Sequence, residues 1–244
     1  MRIATYNIHK GVRGMGPLRR LEIHALQHAV EQFDADIVCL QEVRKVHHAQ
    51  ARYFKRWPSL PQADFLAPPG YSAVYRTNAY TRHGEHGNAL LSRWPVLDHA
   101  HEDMSDHRFE QRGLLHVELA SDAGVLHVLV VHLGLIRGSR VRQLEQLVRY
   151  ATRRIPAAEP LLVAGDFNDW GSVLKMPLRR IGLQSACPVL LPTFPSSLPL
   201  VQFDHVFARG VRVLGSMVPH GAGWSRMSDH LPLIVDFEMM QAAA

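Results

Sequence analysis

Leu161-Leu162-Val163-Ala164-Gly165-Asp166-Phe167-Asn168-Asp169 begins as an apolar run after Pro160 and turns, at a glycine, into carboxylates and an amide. A short run of Leu, Val and Ala bounded by proline and glycine reads as a strand. The same design recurs outward in both directions. Arg2–Tyr6, Ile37–Gln41, Ser72–Tyr75, Ala89–Ser92, Leu114–Leu119, Leu126–Val131, Asp204–Phe207, Val211–Met217 and Leu233–Phe237 are further short runs rich in Val, Ile and Leu. Two helices stand out against them. Leu18, Leu21, Leu26, Ala29, Val30 and Phe33 fall on one helical face, as do Val141, Leu144, Leu147, Val148, Ala151 and Ile155 before Pro156. Pro177–Gly182 reads as a third, short helix. Many strands with few helices imply packed sheets with helices outside them. Arg44–Gly70, Arg76–Gly87 and Cys187–Gln202 read as loops, the first either holding a helix near Gln50–Arg56 or serving function.

With 244 residues, 47% hydrophobic and 20% charged, the chain is expected to fold as a single domain over 1–244, and disorder is excluded. Cys39 and Cys187 do not make a disulfide framework. No apolar stretch reaches membrane-spanning length, because His127 and His132 interrupt Val125–Ile136. A strand-like start at Ile3 leaves no room for a signal peptide, so a cytoplasmic location is expected. Gln241–Ala244 should fray. The formal charge of +5 favours polyanionic partners, nucleic acid or anionic headgroups, although a solvated cationic face reads equally well for any single arginine. Oligomeric state is not legible.

The informative polar residues stand where apolar runs end. Asn7 follows the first run, Glu42 the second, His132 follows Leu126–Val131, Asp166 and Asn168 follow Leu161–Ala164, and Ser228-Asp229-His230 precedes the last. Each alone reads as a turn cap or a solvated strand end. Together they fit one rim of a layered fold, where distant segments converge into a pocket. Asn7, Glu42 and Asp229 are hard oxygen donors, suited to Mg²⁺ or Mn²⁺. His47-His48, His83/His86 and His99/His101 lack a helical HExxH frame and read as surface histidines. His132 and His230 lie among the carboxylates, where imidazole can move a proton or bind phosphate.

The motifs carry a resemblance. Ala4-Thr5-Tyr6-Asn7-Ile8-His9, Leu40-Gln41-Glu42-Val43, Gly87–Arg93, Val131-His132-Leu133, Gly165–Asp169, Thr193-Phe194-Pro195 leading to Phe203-Asp204-His205, and Ser228–Pro232 run from end to end. In this order they resemble the endonuclease/exonuclease/phosphatase family of DNase I-like, Mg²⁺-dependent phosphoesterases, more closely its short bacterial branch. The resemblance implies a four-layer α/β/β/α sandwich of two mostly antiparallel sheets. It implies that Asn7 and Glu42 hold the metal, with Asp229 contributing directly or through water. Asp166 would position or polarise the attacking water and Asn168 would bind phosphate oxygens. His230 would be the base or a phosphate contact, oriented by Asp204. His132 would bind phosphate or protonate the leaving group, and Asn88 would orient the site. Whether Asp166 or His230 is the base stays open. Abasic-site endonucleases have Tyr where this chain has His132, which disfavours that activity. Arg112 reads equally as a phosphate contact or a structural surface arginine.

The expected reaction is metal-dependent hydrolysis of a phosphate ester, more a diester than a monoester. Nucleic acid is the favoured substrate, on the basic balance and on Arg52-Tyr53-Phe54-Lys55-Arg56-Trp57, which also reads as an amphipathic helix with buried aromatics. A phospholipid or phosphoinositide headgroup is the alternative, on the apolar stretches Val189–Phe194 and Leu198–Val201 with Trp224, which also read as ordinary packing over a sheet end. A catalytically silent phosphate-binding scaffold is a third reading, disfavoured because every site residue is present.

Overall fold

A computed structural model describes residues 1–171 and 175–240; the expected fraying of Gln241–Ala244 lies outside them. The strands are β1 (Arg2–Asn7), β2 (Val12–Arg13), β3 (Arg20–Leu21), β4 (Ile37–Val43), β5 (Ser72–Thr81), β6 (Gly84–Ser92), β7 (Val96–Asp103), β8 (Gly113–Ser121), β9 (Gly124–His132), β10 (Leu161–Asp166), β11 (Gln184–Ser185), β12 (Asp204–Arg209), β13 (Val211–Met217) and β14 (Leu233–Met239). The helices are α1 (Ile23–Gln32), α2 (His48–Tyr53), α3 (Gln62–Leu66), α4 (Arg137–Arg154), α5 (Lys175–Arg179) and α6 (Ala222–Met227). The strands form two six-stranded sheets, ordered β13-β14-β1-β4-β6-β5 and β11-β12-β10-β9-β8-β7, and β2 and β3 pair separately.

Each sheet is antiparallel except for one central pair, β1 with β4 and β9 with β10. Those pairs are the two βαβ units, closed by α1 and α4. A parallel connection needs such a crossover, and the crossover covers one face of its sheet. The period-2 alternation then sorts side chains into three layers. Ile3, Cys39, Leu90, Leu115, Val117, Val128, Val130, Leu162, Ala164 and Val206 meet between the sheets. Ala4, Tyr6, Val38, Leu40 and Leu91, in the opposite phase, pack under α1 with Leu26, Val30 and Phe33. Leu129, Val131, Leu161 and Val163 pack under α4 with Leu144 and Leu147. This is the expected α/β/β/α sandwich.

Several local expectations are corrected. Arg76–Gly87 is not a loop: β5 and β6 form a hairpin through it. The apolar signal fades there because β5 is an edge strand in which Arg76 and Asn78 meet His99 and His101 of β7 through polar contacts and Tyr80 is exposed. The whole of β7, also an edge, lacks an apolar run; Leu97, Asp98, His99 and His101 are exposed. Charged and polar side chains on an edge strand discourage pairing with another chain, and the same polarity hides the strand from a reading by apolar periodicity. The first helix begins at Ile23, not Leu18, which is 77% exposed in a short 3-10 turn. Arg44–Gly70 holds two short helices, and α2 ends at Tyr53, before most of the aromatic–basic stretch. The third helix, α5, starts ahead of Pro177. Cys39 and Cys187 are free thiols, and no helix among the described residues is long and apolar enough to cross a membrane.

Candidate active site

At one rim the inter-sheet layer changes from apolar to polar without changing phase. Ile3 and Thr5 lead to Asn7; Val128 and Val130 lead to His132; Leu162 and Ala164 lead to Asp166; Ala208 and Val206 lead back to Asp204; Leu90 leads back to Asn88. Strand register then makes a row of three. His132 is paired with Asp166, and Asp166 with Asp204. All are buried.

Gly165 makes that row possible. A Cβ there would lie 1.9 Å from the Val131 carbonyl oxygen, and φ is +152°, so only glycine lets β10 approach β9 this closely. Glu42 is re-aimed by a different device. The β4–β6 register slips between Leu40 and Val43, and Glu42 takes φ of 58°. Such a bulge turns a side chain out of the regular alternation, and bulges concentrate beside functional sites. Asn168, His9 and Lys10 also hold positive φ at this rim.

Asp166 is the centre of the polar cluster. Asn7 Nδ2 donates to its Oδ2 at 3.0 Å, and the Asn168 backbone N–H donates to Oδ1 at 2.9 Å. His132 Nε2 and His230 Nε2 stand 3.5 and 3.6 Å from the same Oδ2. On its far side His230 Nδ1 is 2.8 Å from Asp204 Oδ2. Phe194 and Phe203 flank the His230 ring at centroid distances of 5.1 and 6.1 Å. Thr193 Oγ1 accepts from the backbone N–H groups of Phe203 and Asp204, fixing where β12 begins. Asn168 Nδ2 donates to the Leu133 carbonyl at 2.9 Å. Asn88 is wholly buried and spans the layers, donating from β6 to the carbonyls of Gly113 and Val130 at 2.9 and 3.1 Å.

The electrostatics divide the titrating groups. Burial, with Asp204 beside it, pushes the Asp166 carboxyl well above the usual carboxylate range against the pull of His230. Burial works against the His230 cation, but Asp204 and Asp166 outweigh it and push that imidazole up to about 10. Burial and then Arg112 hold His132 well below the ordinary histidine value, as a neutral ring. Burial alone would raise Glu42, yet Lys10, by its charge and by its hydrogen bond, holds it well below the usual carboxylate range. Asp229 is lowered in the same way, His9 and His230 outweighing its burial.

Asn7, Glu42 and Asp229 converge around His9. The Asn7 Oδ1 accepts from the His9 backbone N–H at 3.0 Å. His9 Nδ1 is 3.3 Å from Asp229 Oδ1 and 4.0 Å from Glu42 Oε2, and Lys10 Nζ is 2.6 Å from Glu42. Two carboxylates and an amide oxygen facing a lysine ammonium form a cation-seeking set of hard donors, and a divalent ion of the Mg²⁺ type fits it.

Every residue expected at the site therefore lies at this rim or ties it together. His9, Lys10 and Arg112 carry more of its charge than the sequence reading gave them. Lys10 and His9 directly follow Asn7, which was the available signal. Arg112, from Nε to the Leu133 carbonyl at 3.2 Å and from Nη2 to Glu110 at 3.2 Å, is a partly buried guanidinium beside His132 rather than a free surface arginine. His86, expected in a loop, lies in β6, and burial and Lys10 lower it to about 4.

Known proteins align with this architecture along its whole length. The chain is 35% identical over 246 residues to the Escherichia coli (strain K12) protein YbhP, covering 98% of this chain and 96% of that one. The endonuclease/exonuclease/phosphatase of Beutenbergia cavernae superposes with a TM-score of 0.75 at 21% identity, over 98% of this chain and 71% of that one. Danio rerio TDP2 complexed with single-strand DNA product superposes with a TM-score of 0.68 at 16% identity, over 98% and 99%. A model of the endonuclease/exonuclease/phosphatase family matches residues 4–230. The chain belongs to the endonuclease/exonuclease/phosphatase family.

Proposed function

We propose that this chain is a single-domain, cytoplasmic, divalent-metal-dependent phosphodiesterase that hydrolyses nucleic acid. The observation that carries the reaction is the position of Asp166 Oδ2, within 3.0–3.6 Å of Asn7, His132 and His230, side chains drawn from three other strands or loops. Asn7, Glu42 and Asp229 hold Mg²⁺, for which Mn²⁺ can substitute. Bound there, the ion supplies positive charge to a non-bridging phosphate oxygen. His230, kept cationic between two carboxylates, adds a second positive contact, and Asp204 fixes its ring through Nδ1. Asn168 turns its amide toward the phosphate oxygens. Asp166, oriented by the Asn7 amide and the Asn168 backbone, accepts the proton of the attacking water. His132, a neutral ring, donates to the phosphate or to the leaving oxygen. Asn88 positions the rim by tying β6 to β8 and β9.

Nucleic acid is favoured by the formal charge of +5 and by a basic–aromatic surface at which Arg19 lies over the half-exposed Tyr53 ring at 4.9 Å. The DNA bound by the TDP2 neighbour supports the same reading. A lipid headgroup is kept as the second reading on one specific observation. Val189, Leu190, Leu198 and Leu200 are each 64–70% exposed rather than packed on the sheet end. Together with Trp170, three of them line an apolar cavity of about 420 Å³ beside Asp169.

The deciding experiment incubates the protein, with Asp166→Ala as control, in Mg²⁺ or EDTA. The substrates are supercoiled plasmid, single-stranded RNA, a phosphoinositide, sphingomyelin and an aryl phosphodiester. Cleavage needing both metal and Asp166 is expected, with nucleic acid preferred. An untouched panel would overturn the enzyme reading in favour of a silent phosphate-binding scaffold.

A further inference from the structure

His116 and His127 take no part in the site above. His127 lies five residues before His132 on β9, about 17 Å along the strand. His116 shares its phase on β8 with Leu114, and His127 shares its phase on β9 with Leu129; both leucines pack under α4. At positions where the fold asks for apolar side chains the chain places two imidazoles, 4% and 3% exposed.

Their nitrogens are arranged in a line. His116 Nε2 is 2.9 Å from His127 Nδ1. His116 Nδ1 is 3.1 Å from the Tyr150 hydroxyl on α4, and His127 Nε2 is 2.5 Å from the Glu159 carboxylate. Glu118, paired in register with His127, brings its carboxylate 3.8 Å from His127 Nδ1. One nitrogen of each ring and one Glu118 oxygen all fall within 4.8 Å of one another.

The Glu159 carboxylate can only accept, so it fixes the His127 proton on Nε2 and leaves Nδ1 as a lone pair aimed at His116. The Tyr150 hydroxyl can donate to His116 Nδ1 or accept from it. If it donates, a His116 Nε2–H closes a neutral chain onto His127 Nδ1; if it accepts, Nε2 becomes a second lone pair facing His127 Nδ1, and the two rings can hold a cation. The neutral chain does not engage the Glu118 carboxylate, which lies beyond hydrogen-bonding distance of it. A metal ion uses all three groups. The outer partners, a carboxylate on one imidazole and a hydroxyl on the other, are the supports that fix tautomer and ring orientation in histidine–metal sites. Around the pair the carboxylates of Glu118, Glu159 and Asp98 are set against the guanidiniums of Arg154 and Arg209, which leaves the balance negative. Tetrahedral zinc at 2.0–2.1 Å from each nitrogen needs about 3.3 Å between them, so the rings need separate by only ~0.4 Å.

We propose that His116 Nε2, His127 Nδ1 and the Glu118 carboxylate form a second metal site, selective for Zn²⁺ over Mg²⁺, with water in the fourth position. Nitrogen donors favour zinc, whereas the rim's oxygen set favours magnesium. The site is structural: it ties β8 to β9 and, through Tyr150 and Glu159, to α4 and the segment that follows it.

The test uses metal-stripped protein in saturating Mg²⁺, on a Glu42→Gln background that weakens the rim's own cation site, titrated with Co²⁺ as a visible-absorbing stand-in for Zn²⁺. One equivalent giving intense four-coordinate bands, displaced by Zn²⁺ and accompanied by a rise in melting temperature, is expected. Glu118→Gln and His127→Gln should each abolish the bands, and Glu159→Gln should weaken binding about 10–100-fold. Glu118 is one-third exposed at its side chain, so its variant reports on the metal even if the buried histidine variant misfolds. Absence of the bands, or bands that persist in Glu118→Gln, would overturn the proposal and leave a hydrogen-bonded histidine pair.

Discussion

Asp204→Asn separates catalysis from stability at this rim. Asp204 is fully buried and accepts from His230 Nδ1 at 2.8 Å, and it is the register partner of Asp166, a second buried carboxylate. The substitution keeps an oxygen able to accept from the ring but removes the charge. A charge-assisted hydrogen bond is worth ~1.5–3 kcal/mol and a neutral one ~0.5–1.5 kcal/mol, so about 1–2 kcal/mol is lost at His230. Against this, the like-charge repulsion that raises Asp166 is removed, an effect of opposite sign. Stability should therefore change by no more than about 1 kcal/mol, a shift of only ~2–4 °C for a chain of this length. Activity has no such compensation. In Asp204→Asn the ring loses the charge that keeps it cationic, and an amide, which can turn either its oxygen or its N–H to Nδ1, no longer fixes the tautomer as a carboxylate does. Losses of this kind cost ~10²–10⁴-fold in turnover. Hydrolysis of an aryl phosphodiester in Mg²⁺, measured beside a calorimetric melt, should show kcat falling by that factor, with KM and melting temperature nearly unchanged. Near-wild-type turnover would refute the Asp204–His230 pairing as a working part of the site. A large fall in melting temperature would show that the pair serves the fold.

Other consequences can be read at single residues. Asn88→Ala deletes two buried hydrogen bonds that bridge the sheets, which should destabilise by about 2–4 kcal/mol in denaturant melts; a change within about 0.5 kcal/mol, as for an ordinary surface substitution, would remove Asn88 from the bridge. Gly165→Ala puts a methyl against the Val131 carbonyl and should abolish activity by parting His132 from Asp166; full activity would show that β10 can yield without cost. In EDTA, burial and His127 hold the folded His116 at about 4, below the ordinary value near 6.5. The unfolded chain therefore binds the extra proton between those values, and stability falls as pH drops through 6.5 towards 4. Wild type should lose about 2 kcal/mol more than His116→Gln between pH 7 and 5 in urea melts; parallel losses would contradict a buried neutral imidazole.

The layered plan was legible because its central strands are apolar in both phases. Leu161-Leu162-Val163-Ala164 faces α4 with one set of side chains and the opposite sheet with the other. Strands at the sheet edges lacked that signal. β7 reads Val96-Leu97-Asp98-His99-Ala100-His101-Glu102-Asp103, and its exposed positions carry His and Asp, with Leu97 the one apolar side chain among them. Leu18 and Leu21 matched the helical period of the residues after them, but they lie in a 3-10 turn and in β3, outside α1. The site residues that end apolar runs, Asn7, His132 and Asp166, were visible as such. Asp204 and Asn88 were reached by resemblance alone, since one begins its strand and the other precedes the apolar part of β6. The bulge that aims Glu42 is a backbone event with no residue-type signature, and the His116–Glu118–His127 trio is brought together only by the pairing of β8 with β9.

A common geometry explains why the rim is where it is. Among the strands of each sheet the parallel pair lies near the middle, so both of its carboxyl ends leave the layer on the same side: Asn7 beside Gln41 in one sheet, His132 beside Asp166 in the other. Ligand sites in sheets built from βαβ units fall at such carboxyl ends. Here two parallel pairs face one another across the inter-sheet layer, and the polar ends of both meet. The apolar layer below supplies the low dielectric that raises Asp166 and holds His132 neutral, while the rim above admits solvent to Asp229 and His9. Chemistry and packing thus draw on the same alternation. Moving any of these residues by one position would turn its side chain from the inter-sheet layer towards α1 or α4, where it would be a buried polar group without partners. The phase of the polar residues is therefore as constrained as their identity.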